Sequence, residues 1–125
     1  MKLRILPYGL IILVLLISGC TNNGVTNSEN ISTSLGTIVY KDVMDEKFRF
    51  LLIPKTEGIT YEKMSLKELE SLARSQNDSS WYTLSEEMYN KLNIGQNVEV
   101  KWDSSHQFES NPPIRSMKDI KVTPN

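Results

Sequence analysis

Residues 97 to 103 read Asn-Val-Glu-Val-Lys-Trp-Asp, and this stretch constrains the fold more than any other part of the chain. Val98, Val100 and Trp102 fall on one face and Glu99 and Lys101 on the other, the period-two pattern of a strand with one buried side. Such a strand needs neighbours in a sheet and a core beneath it. Lys47-Phe48-Arg49-Phe50-Leu51-Leu52-Ile53 repeats the pattern through Phe48, Phe50 and Leu52. Thr37-Ile38-Val39-Tyr40 precedes it across a polar turn, Asp42 to Glu46, so the two runs predict a hairpin, which Pro54 and Gly58 end.

Between these strands the period changes. Ser65-Leu66-Lys67-Glu68 is a capping-box pattern, in which a hydroxyl and a carboxylate satisfy the orphan amides of a helix start. Leu66, Leu69, Leu72 and Ala73 follow at helical spacing and predict a helix over 66–74. Arg74 to Ser80 reads as a loop and Trp81 to Leu84 as a short strand. Ser85 caps a second short helix, with Glu86 and Glu87 in its first turn favoured by the helix dipole and Gly95 just beyond its end. Residues 104 to 116 read as a polar loop containing Pro112-Pro113, and Asp119 to Val122 as a last strand. The sum is an α+β, β-rich domain, expected to be a small, five-stranded, partly open barrel of OB-like form with one or two short helices.

Ahead of that domain lies an address. Met1, Lys2 and Arg4 form a positive n-region, and Leu10 to Ile17 is an unbroken apolar run of eight residues. A spanning helix needs ~20 mostly apolar residues. This run is too short and follows Pro7 and Gly9, so residues 1–19 predict a cleaved secretory signal. It ends Ile17-Ser18-Gly19-Cys20, on the chain's one cysteine. That sequence resembles a bacterial lipobox, whose cysteine thiol takes a diacylglyceryl group and becomes the mature N-terminus. The alternative is a free or disulfide-forming thiol, but the chain offers no second cysteine. Two acyl chains anchor stably where one does not. The expected location is therefore the extracytoplasmic face of the cell membrane, held by lipid at Cys20.

Residues 20–35 join the lipid to the domain. Asn, Ser and Thr dominate them and no apolar period is present, the composition of a flexible tether. Residues 36–125 form the expected globular domain, which at this size buries roughly 60–65% of its unfolded surface. Removing Lys2 and Arg4 leaves 12 basic against 15 acidic residues. That balance is no nucleic-acid footprint, which requires clustered Lys and Arg.

Three stretches carry a resemblance. They are Gly36-Thr37-Ile38-Val39, then Tyr89-Asn90-Lys91-Leu92-Asn93-Ile94-Gly95-Gln96-Asn97-Val98-Glu99-Val100, then Glu109-Ser110-Asn111-Pro112-Pro113 ahead of Ile120. In this order they resemble a family of small, uncharacterised bacterial lipoproteins and secreted proteins with a domain of unknown function. Asn111 stands where that pattern often has an aromatic residue. The resemblance implies a fold and a location outside the cytoplasm, and brings no activity with it.

The residues themselves offer little for catalysis. His106 is the sole histidine, no Gly-x-Ser-x-Gly or Ser-x-x-Lys element is present, and a zinc site needs three or four ligands. No cofactor is implied. Paired carboxylates occur at Asp45/Glu46, Glu68/Glu70 and Glu86/Glu87, and a glycosidase needs two, so a lipid-anchored hydrolase is one alternative. A small-ligand sensor is another. The leading reading is a non-catalytic module that binds another envelope protein or a wall component. Its candidate binding residues are His106, Gln107, Glu109, Ser110, Pro112, Pro113 and Arg115, on a loop stiffened by its prolines; the same residues also suit a plain strand connection. Trp81, Tyr82 and Trp102 suit an aromatic platform, or, more simply, core. Replacing Cys20 with Ala should move the protein from the membrane fraction to the soluble one; continued membrane retention would refute lipidation at that position.

Overall fold

The computed structural model describes residues 30–124. The predicted signal, Cys20 and the tether up to residue 29 lie outside them. Five strands form a closed, irregular ring in the order β1-β2-β3-β5-β4. They are β1 (Ile31–Met44), β2 (Lys47–Ile53), β3 (Ser80–Leu84), β4 (Asn97–Phe108) and β5 (Ile114–Thr123), with α1 (Leu66–Arg74) and α2 (Glu86–Lys91) in the connections on either side of β3 and a single 3₁₀ turn at Tyr61–Lys63. All neighbours are antiparallel except β3 and β5.

The ring closes because β1 is long enough to pair twice. Its first half, Ile31 to Thr37, runs beside β4, and its second half, Thr37 to Met44, beside β2. Thr37 belongs to both ladders and its hydroxyl donates to Asn97 Oδ1 at 2.8 Å. The expected opening in the barrel is therefore absent: each strand has a neighbour on both sides. β1 also opens at Ile31, inside the segment whose composition reads as tether. The sequence hides this because the usual pattern is inverted there. Ser34 points inward and is buried, whereas Ile31 and Leu35 are exposed.

Gly36 sits where β1 passes from one partner to the other. A Cβ there would lie 2.7 Å from the Ile53 carbonyl oxygen, so only glycine lets the two backbones approach this closely. At the far end of the β1–β2 hairpin, Asp45 and Glu46 make a two-residue turn with both φ angles positive, at 53° and 63°. That is the primed turn whose twist matches the flanking strands. One of the three carboxylate pairs is thus a hairpin turn.

Two apolar clusters hold the fold. Ile38, Phe50, Leu52, Tyr82, Leu92, Val98, Val100 and Trp102 fill the ring. Val39, Leu51, Ile53, Trp81, Leu69 and Ala73 form a second layer between the ring wall and α1. β2 is consequently buried on both faces from Phe50 onward, which explains its apolar run Phe-Leu-Leu-Ile. The α1 helix occupies the span its spacing predicts, and the capping box is present: Ser65 Oγ accepts from the Glu68 amide, and Glu68 accepts from the Ser65 amide at 2.8 Å. Lys41 Nζ donates to the Tyr89 and Leu92 carbonyls at 2.6 and 2.5 Å, closing the C-terminal end of α2. Burial pulls this lysine below its ordinary pKa.

The last third departs furthest from the sequence reading. Residues 104–108 are strand, not loop, and β5 begins at Ile114, so only residues 109–113 connect the two. Gly36→Ala should destabilise the domain by about 1–3 kcal/mol, since Ile53 O is backbone and has little room to yield. A denaturant midpoint unchanged from wild type would show that the close approach carries no weight.

Candidate functional site

The β4–β5 ladder shifts register twice: by one residue at Lys118, between the Lys101–Asp119 and Trp102–Met117 pairs, and more widely just beyond Trp102. Trp102 faces Met117, and the next paired residues are Gln107 and Arg115. Asp103, Ser104, Ser105 and His106 thus stand opposite Ser116 alone, a four-residue bulge that aims side chains away from the ladder. The bulge organises itself. Asp103 Oδ1 accepts from the Ser105 hydroxyl at 2.5 Å and from its amide at 2.9 Å, and Asp103 Oδ2 lies 2.9 Å from His106 Nδ1. The Ser105 bonds, with a smaller contribution from His106, hold the Asp103 carboxyl at about 2, so it stays ionised. A carboxylate only accepts, so the proton in the His106 contact belongs to Nδ1, leaving Nε2 outward. Ser104 donates through its amide and hydroxyl to the Asn30 carbonyl at 2.8 and 2.9 Å, tying the bulge to the entry of β1.

Beside the bulge lies a cleft of about 630 Å³, lined from β3 by Thr83, from β4 by Asp103 and residues 105–108, and from β5 by Ile114, Arg115, Ser116 and Lys118. Its volume falls within the range of small-molecule sites.

Arg115 forms its inner wall, and the structure corrects the sequence reading here. Rather than standing on a loop, Arg115 is a β5 residue with its side chain directed into the ring and only 8% exposed. Its Nε donates to Gln107 Oε1 at 2.8 Å. Nη1 reaches Tyr82 Oη and Asp78 Oδ1, both at 2.9 Å, and Ser34 Oγ at 3.3 Å. The guanidinium lies 3.7 Å from the centroid of the Trp102 ring, whose Nε1 donates to the same Ser34 hydroxyl at 3.0 Å. Burial pushes the Tyr82 hydroxyl above its ordinary pKa, while its bonds with Ser34 and Arg115 pull it partly back.

The remaining candidates divide. His106 and Gln107 line the cleft together with Arg115. Ser110 donates to the Pro112 carbonyl at 2.8 Å, Pro112 is buried, and Pro113 O accepts from the Trp81 amide at 2.9 Å, extending the β3–β5 ladder. These three shape the turn. Glu109 is exposed and outside the lining. Trp81 and Trp102 are buried, so no aromatic platform exists at either; Trp81 packs in the layer under α1. Asp103, Phe108, Ser116, Lys118 and Thr83 were not singled out by sequence. Alternation fails exactly where the bulge and an inward arginine replace the apolar pattern that marks a strand.

Among the described residues no group of three or more metal-ligating side chains gathers, and no helix is long and apolar enough to cross a membrane.

Fold and site together define a small five-stranded ring with a polar cleft at one interrupted ladder. The chain belongs to the DUF3221 family of proteins of unknown function, whose family model matches residues 35–124. No curated protein matches it. Among solved structures it is similar to the crystal structure of the YobA protein of Bacillus subtilis, at 21% identity over 78% of this chain and 99% of that one, with a TM-score of 0.57. It is likewise similar to the solution NMR structure of residues 21–120 of Bacillus subtilis YobA, at 21% identity over 77% of this chain and 84% of that one, with a TM-score of 0.59. At that identity the likeness is one of fold.

Arg115→Lys should cost roughly 2–4 kcal/mol, because an ammonium cannot reproduce the fork that serves Gln107, Tyr82 and Ser34 at once. The Asp78 contact adds little, since that carboxylate is 44% exposed. Chemical denaturation of the variant tests this, and a loss below ~0.5 kcal/mol would remove Arg115 from its structural role.

Proposed function

We propose that this chain is a lipid-anchored, extracytoplasmic binding module of the cell envelope, with its ligand seated in the cleft beside the β4 bulge. The observation that carries the reading is that cleft: an open concavity framed by a break in the ladder and backed by a guanidinium fixed in place from four sides. Pre-set polar groups around a concave surface are what ligand sites require. The lipobox at Cys20 supports the anchor. The Ser104–Asn30 bonds tie the start of β1 to the bulge.

The ring order, with its parallel β3–β5 pair, supports an OB-like barrel, a fold in which the β4–β5 connection borders the ligand face. Binding is favoured over paired-carboxylate hydrolysis because Asp103 is the one carboxylate among the lining residues, whereas that chemistry takes two. The anchor favours a partner within the cell envelope.

Photo-crosslinking in intact cells tests the reading. A photoreactive amino acid replaces Ser116, which is exposed in the cleft, and in a control replaces Lys63 on the 3₁₀ turn. A discrete adduct from position 116 alone is expected. The same smear from both positions, or no adduct, would refute a binding role for this cleft.

A further inference from the structure

The chemistry of the cleft wall narrows what it takes. Three side chains in the lining can carry positive charge, Arg115, Lys118 and His106, against one carboxylate. That carboxylate, Asp103, is already engaged by Ser105 and His106. Lys118 is exposed and has no ion-pair partner among the described residues. Arg115 uses Nε and Nη1 on the protein, and among the described residues nothing accepts from Nη2. A buried guanidinium left with an unused donor at a cavity wall is poised for one more acceptor, and charge-assisted bonds to anionic oxygen are the strong ones. The second feature is apolar. Phe108, at 66%, is the most exposed of the large apolar side chains among the described residues, and it lines the same cleft with Ile114. Lys118 without an ion-pair partner among the described residues, and an open donor on Arg115, beside an uncovered aromatic ring match a ligand that is anionic at one end and apolar at the other.

We propose that the cleft binds a small amphiphilic anion, with a phosphate or carboxylate held by Lys118 and Arg115 Nη2 and an apolar arm laid on Phe108 and Ile114. This rests on the cleft being the binding site. The same chemistry is carried by a soluble alkyl phosphate and by the headgroup region of an anionic lipid, and the experiment separates the two.

The full chain is incorporated into phosphatidylcholine nanodiscs, and the backbone amides of residues 105–108 and 114–118 are followed by NMR. Hexyl phosphate is titrated first, with hexylammonium as the charge control. Discs containing phosphatidylglycerol, without soluble probe, form the second arm. Saturable shifts at those amides with hexyl phosphate and not with hexylammonium are expected. Lys118→Glu should weaken the response roughly tenfold, and Phe108→Ser should weaken it several-fold while leaving the response to inorganic phosphate unchanged. Because both side chains are exposed, unchanged spectra elsewhere verify that the variants fold. The same shifts in phosphatidylglycerol discs assign the anion to a lipid headgroup; their restriction to hexyl phosphate assigns it to a soluble ligand. Either result supports the proposal. Equal shifts with hexylammonium, an undiminished response in Lys118→Glu, or no saturable response in either arm would overturn it. Should it fall while the adduct at position 116 persists, the cleft remains a binding site for a ligand of other chemistry; loss of both removes the binding reading as well.

Discussion

One guanidinium, that of Arg115, ties together most of what the fold brings near the cleft. It sits on β5, donates to Gln107 on β4, Tyr82 on β3 and Ser34 on β1, and reaches Asp78 on the connection ahead of β3. Four of the five strands therefore meet at one side chain. Burying a guanidinium is costly unless its donors are satisfied and its charge is met. Here the flat face rests on the Trp102 indole and the edge carries the hydrogen bonds, so the two needs are met by different surfaces of the same group. Moving any one of these strands away would leave a donor of that buried group unsatisfied.

The opposite wall uses the same device. Arg49 on β2, 6% exposed, makes a two-pronged contact with Asp42 across the hairpin at 2.7 and 3.1 Å, and its guanidinium lies 3.7 Å from the Trp81 ring centroid. A domain of this size has a limited apolar core. Two arginine–indole stacks extend its interior, one inside the ring and one under the outer layer, with groups whose geometry admits a single arrangement. The two differ in what remains over. Arg49 is closed by its carboxylate, whereas Arg115 spreads its donors over neutral groups and a partly exposed carboxylate, which is why the proposed ligand is assigned to the latter.

The cleft follows from the break in the ladder rather than from a loop. A closed ring has no free edge on which a ligand could add as a strand. The proposed recognition therefore uses a place where pairing is interrupted, and the four residues from Asp103 to His106 supply it. Their internal bonds replace the lost ladder, so the wall is held in shape without a partner strand.

Much of the architecture could be read from residues alone: the β1–β2 hairpin, the helix over 66–74 with its capping box, the burial of Val98, Val100 and Trp102, and the count of five strands. Each is written in a local period or a cap, which depends on neighbours in sequence. The proposed anchor rests on sequence alone, on the local order of charge, apolar run and Cys20, which lie outside the described residues. What tertiary structure decided was everything whose pattern runs against those periods. Ser34 and Arg115 occupy inward positions where an apolar residue is expected, and the bulge removes alternation from 103–108. Those stretches consequently read as tether and loop when they are strand. The physical reason is that a polar side chain goes inside only when distant partners satisfy it. The hydrogen-bonded contacts of Arg115 with Ser34, Asp78 and Tyr82 span 81, 37 and 33 residues of chain, distances at which no sequence period can record them.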